Sequence, residues 1–259
     1  PTSVEEFEAD MQTAKDAGIL PMMTYAKDGG TSFVFQALMA NNSSAEDVQN
    51  WILQKSGTFD NQAAQDAAST LQDWNNKGYM PEGVNAVDAS TALSRFCNGE
   101  GLFFPSGNWN LDTVAKALGD DVQFFAFPGA TSEDEPNVAA NAGAFYGIPV
   151  NAKNRDAAAA FLDYTQSAEA QQIIVDNSGY LPKSSTSDLK ANSALQQSMF
   201  DAYADVLMSG HTSDFINNAT AGMQSSGLIP NFQLLLDNSI TPQEFTKNVQ
   251  AQYDKEAKQ

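Results

Sequence analysis

The chain is poor in the residues that most enzymatic and metal chemistry requires. It has one cysteine, Cys97, so no intramolecular disulfide and no multi-cysteine metal cluster can form. It has one histidine, His211, which excludes two-histidine metal sites and leaves that residue as the only partner for a nucleophile–histidine pair. Cations are scarce: 13 lysines and arginines stand against 32 aspartates and glutamates, a formal net charge of −19. Nucleic acid and anionic lipid are bound through neutralisation by Lys and Arg, so a chain this acidic is built for neither. No apolar run reaches the ~20 residues of a membrane-spanning helix. The glycine-rich dinucleotide fingerprint, the P-loop and the G-x-S-x-G nucleophile elbow are missing. The acidic run Glu133-Asp134-Glu135 lacks the D-x-[DN]-x-[DN]-G pattern of a calcium loop. No cofactor and no metal are expected.

What is present suffices for a sizeable core. A chain of 259 residues, 42% hydrophobic and 10% aromatic, can build one large domain or two smaller lobes. It starts at Pro1, just before a helix cap, and reads as a mature product or as a piece beginning inside a larger protein. Ser3 and Glu6 form a capping box, with Phe7, Met11 and Ala14 at helical spacing behind it. Leu20 to Ala26 reads as a buried strand, followed by the loop Lys27-Asp28-Gly29-Gly30 and a helix from Thr31 to Asn41. Helices are expected over 44–53, 61–77, 89–97 and from Trp109 to Leu118, and strands over 102–104, 122–127 and 145–150. The polar, acidic stretch 131–141 is the candidate linker. Helices follow over 156–166 and 168–177, and from Asn192 onward the pattern is all helical, with Thr241-Pro242-Gln243-Glu244 the most explicit helix start. Alternation of strands and helices argues an α/β class with a mostly parallel sheet, then a helical C-terminal part.

One segment has the chemistry of a ligand site. Gly107-Asn108-Trp109-Asn110 puts a tryptophan between two asparagines at the carboxyl end of a strand, where open α/β sheets bind ligands. An indole ring packs on the C–H face of a sugar, and side-chain amides both donate to and accept from hydroxyls. A role for Trp109 in the core competes with this. Paired carboxylates could serve glycoside hydrolysis, but with 32 acidic residues no spacing singles out a pair, and a solvated acidic surface explains them. His211, after Gly210, reads as a loop residue, and Cys97, on an apolar helix face, as a small buried and inert one.

Taken in order, several stretches resemble the extracellular solute-binding proteins of carbohydrate ABC importers (family 1, maltose-binding-protein-like). Pro1-Thr2-Ser3-Val4-Glu5-Glu6-Phe7 is similar to the family's P-x-T-W-x-E-F, with Val4 where tryptophan is usual. Phe96 to Gly101 and on to Trp109 is similar to F-x-x-G-K-A-A-M…G-x-W. Val122 to Gly129 resembles a strand ending in P-x-P-G, with only Pro128 kept. Gly143 through Ile148-Pro149, Asn151-Ala152-Lys153-Asn154, Ala158 to Leu162 and Gly179-Tyr180-Leu181-Pro182 resemble G-x-x-x-x-I-P-x-x-S-K-N…A-x-x-F-L…G-x-x-P, with Ala152 replacing serine. The resemblance covers the whole chain.

It implies a periplasmic-binding-protein type II-like lobe, three-layer α/β with a helical C-terminal part, from a receptor lacking most of its N-terminal lobe. On this mapping 1–141 is the first part of the C-terminal lobe, 142–187 the segment that crosses into the N-terminal lobe, and 188–259 the helical second part. It also implies a sugar-stacking role for Trp109, with Asn108 and Asn110 beside it, an acidic ligand in Asp28, and cleft positions for Phe145, Tyr146 and Phe215. The implied partners are a neutral mono- or oligosaccharide and a pair of ABC permease subunits, reached from an extracellular or periplasmic location by a lipoprotein that is membrane-tethered at full length. Self-association through 142–187 is expected, because that segment lacks most of the sheet it would pack on. Two other readings remain open: a secreted glycoside hydrolase, and a structural or adhesion module without ligand binding.

Overall fold

Helix starts follow the caps written in the sequence. The computed structural model of the chain describes residues 1–140, 146–178 and 189–257. Its helices are α1 (Val4–Asp16), α2 (Thr31–Asn41), α3 (Ala45–Ile52), α4 (Gln62–Asn76), α5 (Ala89–Cys97), α6 (Leu111–Leu118), α7 (Arg155–Tyr164), α8 (Ala168–Ser178), α9 (Ala194–Ser209), α10 (Ile229–Leu236) and α11 (Pro242–Ala257). Ser44, Asn61 and Asp88 each accept the amide three residues on and so satisfy a donor that the first turn of α3, α4 or α5 leaves open. Thr241 and Glu244 close the reciprocal box at α11, at 3.2 and 2.8 Å. The box at α1 is only half formed as expected. Ser3 Oγ takes the Glu6 amide at 3.2 Å, but the Glu6 carboxylate accepts the Thr2 amide and hydroxyl rather than the Ser3 amide.

Contacts divide the chain into two units. The first comprises Pro1–Ser106, Ala126–Ala140 and Val206–Gln259, the second Gly107–Phe125 and Asn141–Asp205. Residues 142–187 fall inside the second unit, which also takes in 107–125 and 188–205.

In the first unit α2 is buried from Thr31 to Ala40 except at Phe33, the pattern of a helix enclosed on every side. Around it pack α4, α10 and α11, and Phe35 meets Phe59, Phe232 and Phe245 at centroid distances of 5.6, 5.2 and 5.4 Å. Phe7, on α1, covers a second aromatic group, with Trp74 at 5.7 Å and Phe103 at 4.4 Å. Residues 21–26 are buried and extended, as expected of a strand hydrogen-bonded on both sides. On one side Met22 and Ala26 donate to Tyr79 and Val84; on the other Met23 donates to Phe103, and Leu102 and Phe103 return to Leu20 and Pro21. The expected strands at 20–26 and 102–104 are reduced to a single parallel bridge between Met22 and Phe103, the other bonds being too irregular to extend a ladder. Strands β1 (Val138–Ala139) and β2 (Thr212–Ser213) also pair in parallel. The α/β reading with parallel strands holds, in a fold where helices greatly outweigh strands.

Several expected strands are replaced. Residues 122–127 are not a strand among the described residues: the Phe124 amide is taken by the Ser198 hydroxyl at 2.9 Å instead of by a ladder. β1 forms at the end of the polar stretch read as a linker, because His211 and Ser213 supply carbonyls to Val138 and Ala140. Residues 146–150 are not a strand either, and Pro149 has no amide to offer a neighbour. Beyond Asn192 the chain is not all helical. Gly210 turns left-handed (φ +74°), β2 follows, and a π-helical turn, Met223–Leu228, runs into α10.

In the second unit α6 packs on α8, and Val175, Leu195, Met199 and Phe200 are buried. By contrast α7 buries none of its residues. Phe161 is 64% exposed, and Tyr164 and Ile173 are about half exposed.

Cys97 is half-buried at the end of α5, not fully enclosed, and burial pushes its thiol up from the usual cysteine range. Thiolate is the reactive form, so labelling by a thiol reagent at pH 7 should be slower than for an unstructured cysteine and should accelerate as pH climbs through the raised value. Labelling at the free-peptide rate at pH 7 would contradict this.

Candidate functional site

In the first unit the site residues gather at the N-terminal end of α2. Asp28 is exposed in the turn between the buried residues 21–26 and this helix. Its Oδ2 accepts the Ala89 amide at 2.9 Å, so the carboxylate also sits at the first turn of α5, where a negative charge is favoured. The Asp28 main-chain carbonyl accepts Gln224 Nε2 at 3.0 Å. Gly29 has φ +83°, a conformation that disfavours a β-carbon. A β-carbon at Gly30 would overlap the Tyr25 ring. The Tyr25 hydroxyl is raised by burial and then by the Asp28 charge. The nearby cation, Lys27, is committed to Asp88 at 3.3 Å. Hydrogen bonds from Thr91, Ser90 and Lys27 hold Asp88 well below the usual carboxylate range.

Phe215 reaches the same helix end. It is half-buried and meets Phe33, in the first turn of α2, edge to face at 6.1 Å. What fixes it there is Gln36, one turn further along α2 and 2% exposed. Gln36 Nε2 donates to Ser213 Oγ (3.0 Å) and the Asp214 carbonyl (2.6 Å), and its Oε1 accepts the Ile216 amide (3.0 Å). Asp214 Oδ1 accepts the Phe215 amide at 2.7 Å and Asn218 Nδ2 at 2.9 Å. Neither Phe33 nor Gln36 was anticipated. In a helix apolar all round, Phe33 reads as one more core residue, and a lone glutamine carries no periodic signal.

In the second unit Asn108–Asn110 forms a short 3₁₀ turn leading directly into α6. Trp109 is 41% exposed, so the competing core role does not describe it. Its ring lies back over Gly107, where a β-carbon would overlap it. Gly107 has an ordinary extended backbone, so the need for glycine there is room for the indole. Tyr146, in the same unit, is 68% exposed. Phe145 lies outside the described residues.

A cavity of about 360 Å3 opens elsewhere in the first unit, lined among others by Met39, Val48, Trp51 and Phe59, and none of the expected site residues borders it. Among the described residues no cluster of His, Cys, Asp and Glu could hold a metal ion, and no helix is long and apolar enough to cross a membrane.

Comparison with known proteins follows the same lines. A family model described as bacterial extracellular solute-binding protein matches residues 1–200. No curated protein sequence matches the chain. Among solved structures, a chitin oligosaccharide binding protein superimposes with a TM-score of 0.83 at 19% identity, over 100% of this chain and 65% of its own. A structure from work on xylan utilization by the thermophilic bacterium Caldanaerobius polysaccharolyticus gives 0.79 at 17% identity, over 97% and 66%. The bacterial solute receptor AcbH, described as exclusively preferring β-D-galactopyranose, gives 0.75 at 18%, over 98% and 65%. Likeness at these identities establishes the fold. The chain spans about two-thirds of the length of these solved relatives.

Proposed function

The chain belongs to the bacterial extracellular solute-binding proteins, and from that premise we propose that it is part of the sugar receptor of an ABC importer, acting outside the cytoplasm and tethered to the membrane at full length. It binds a neutral mono- or oligosaccharide without converting it. Trp109 is the stacking platform, Asn108 and Asn110 supply amides, Asp28 accepts from a pair of hydroxyls, Phe215 with Phe33 forms a second aromatic wall, and Tyr146 and Phe145 add contacts. Residues 142–187 are the segment that crosses to the other lobe, between lobe parts at 1–141 and 188–259. The partners are the permease pair and, through 142–187, a second copy.

The observation that carries this reading is the exposed indole of Trp109, held over Gly107 between two asparagines. A ring with this much open face offers the apolar surface that a sugar's C–H groups require. Pairing of Lys27 with Asp88, and the strongly negative chain, disfavour an anionic sugar. Among the described residues the carboxylates with a displaced pKa, Glu6, Asp88, Asp134, Glu244 and Glu256, all move down, through hydrogen bonds that their oxygens accept. A glycoside hydrolase needs an acid moved the other way.

Titration with chito-oligosaccharides, xylo-oligosaccharides, galactose and raffinose, followed by calorimetry and by product analysis, tests the proposal. Trp109→Ala should weaken the best response several-fold, since ring stacking is worth on the order of 1 kcal/mol beyond area burial, and should leave the melting temperature nearly unchanged. Unfolding with residual affinity intact would make the ring a core residue, and released product would make the protein an enzyme.

A further inference from the structure

We infer that Gln224, carried on the π-helical turn Met223–Leu228, is a positioning residue that sets the Asp28 carboxylate. The inference rests on the reading of Asp28 as a sugar ligand.

A π-turn inserts an extra residue into the helical ladder, is rare, and is frequently found at functional sites. Here it is pinned from two directions. Met223 and Leu228 are fully buried and fasten it to the core. From α11, Glu256 Oε2 accepts the Gly222 amide at 2.8 Å, Gln252 donates to the other carboxylate oxygen, and a β-carbon at Gly222 would overlap that carboxylate. The turn so fixed aims one side chain at the Asp28 loop. Gln224 Nε2 donates to the Asp28 carbonyl, and a β-carbon at Gly29 would come within 2.5 Å of the same nitrogen. With the Tyr25 ring against Gly30, the Asp28-Gly29-Gly30 turn lies clamped between an amide and a phenol.

The orientation of the amide is dictated by its partner. Turned over, its oxygen would face the Asp28 carbonyl oxygen, two acceptors with no hydrogen between them. In the orientation that satisfies the loop, Gln224 Oε1 is buried and unpaired. An amide that forgoes a partner for its own acceptor is held by the contact with the loop and not by self-satisfaction. Asp28 is thereby restrained at two atoms, its main-chain oxygen by Gln224 and its Oδ2 by Ala89. Oδ1, with two lone pairs, is left to accept from the pair of ligand hydroxyls.

The test compares Gln224→Ala and Gln224→Glu with Asp28→Ala and with the Gln224→Ala/Asp28→Ala double variant. Gln224→Glu keeps the size but has no N–H, so it separates the lost donor from lost packing. Without sugar, amide exchange at 27–30 and at Ala89 should quicken in both Gln224 variants, while the core helices α2 and α4 keep their protection. With N,N′-diacetylchitobiose, galactose and raffinose as probes, either Gln224 variant should weaken binding about five- to tenfold, the scale of one loosened hydrogen bond. In the Asp28→Ala background Gln224→Ala should cost nothing more. Unchanged exchange at 27–30, or an equal loss of affinity with and without Asp28, overturns the inference. If Asp28→Ala leaves binding intact while exchange at 27–30 still quickens, it is the ligand reading of Asp28 that falls.

Discussion

Replacing Gln36 with leucine should lower the stability of the first unit by about 2–4 kcal/mol, because buried groups left without partners cost roughly 1–3 kcal/mol each and are only partly offset by apolar burial. Gln36 joins the interior of α2 to the Ser213–Ile216 segment through hydrogen bonds to Ser213, Asp214 and Ile216. Ser213 and Ile216 are 4% and 1% exposed, so water cannot easily replace it. Gln36→Glu should do worse near neutral pH, since it loses both N–H donors and buries a charge. Burial raises that carboxyl in the folded state, so the deficit of Gln36→Glu should shrink as pH falls through the raised value. Urea unfolding with an unchanged slope is the measurement. A loss under about 1 kcal/mol for Gln36→Leu would mean that the 213–216 segment relaxes onto other partners.

The second large effect concerns association. Copies of this chain should associate through the face formed by α7 and its neighbours, weakly in dilute buffer and more strongly as salt is added. Val150 is 85% exposed, Phe161 64% and Ile173 50%, all within the second unit. Exposed apolar side chains of this kind favour a weak or transient contact between copies. Repulsion between two chains of net charge −19 opposes contact, and its reach falls from about 30 Å at 0.01 M salt to about 8 Å at 0.15 M. Sedimentation at both salts should show the shift, and Phe161→Glu should abolish it by placing a charge in the contact. A monomer at every salt, with wild type and Phe161→Glu alike, would rule this face out as the contact.

How far the sequence anticipated these features depended on the range of the interactions. The capping box at Thr241 acts over three residues and was legible, as was the burial of 21–26, a dense apolar run bounded by a glycine loop. β1 was not, because a two-residue strand inside a polar stretch is made by carbonyls from 211 and 213, more than 70 residues away. Residues 122–127 are apolar enough to read as a strand, yet the Phe124 amide found a serine hydroxyl instead. At the site, Trp109 stood out because loops after strands carry ligand chemistry, and Asp28 only through the resemblance to the family. Gln36, Gln224 and Phe33 did not, since their partners lie across the fold and nothing local marks an amide as a clamp.

That reliance on amides has a consequence for the whole chain. Remote segments are fastened by neutral side chains: Gln36 to 213–216, Gln49 to Asp214, Gln72 and Asn75 to 235–240, and Gln250 to Phe59 and Trp51. The ion pairs among the described residues, by contrast, are exposed, and two of them span a single helical turn. Exposed pairs contribute little and are screened by salt, whereas a dipolar amide bond inside the protein is nearly blind to ionic strength. Added electrolyte should therefore act by screening the net charge of −19, between copies and within one, and not by loosening the amide fasteners of the fold.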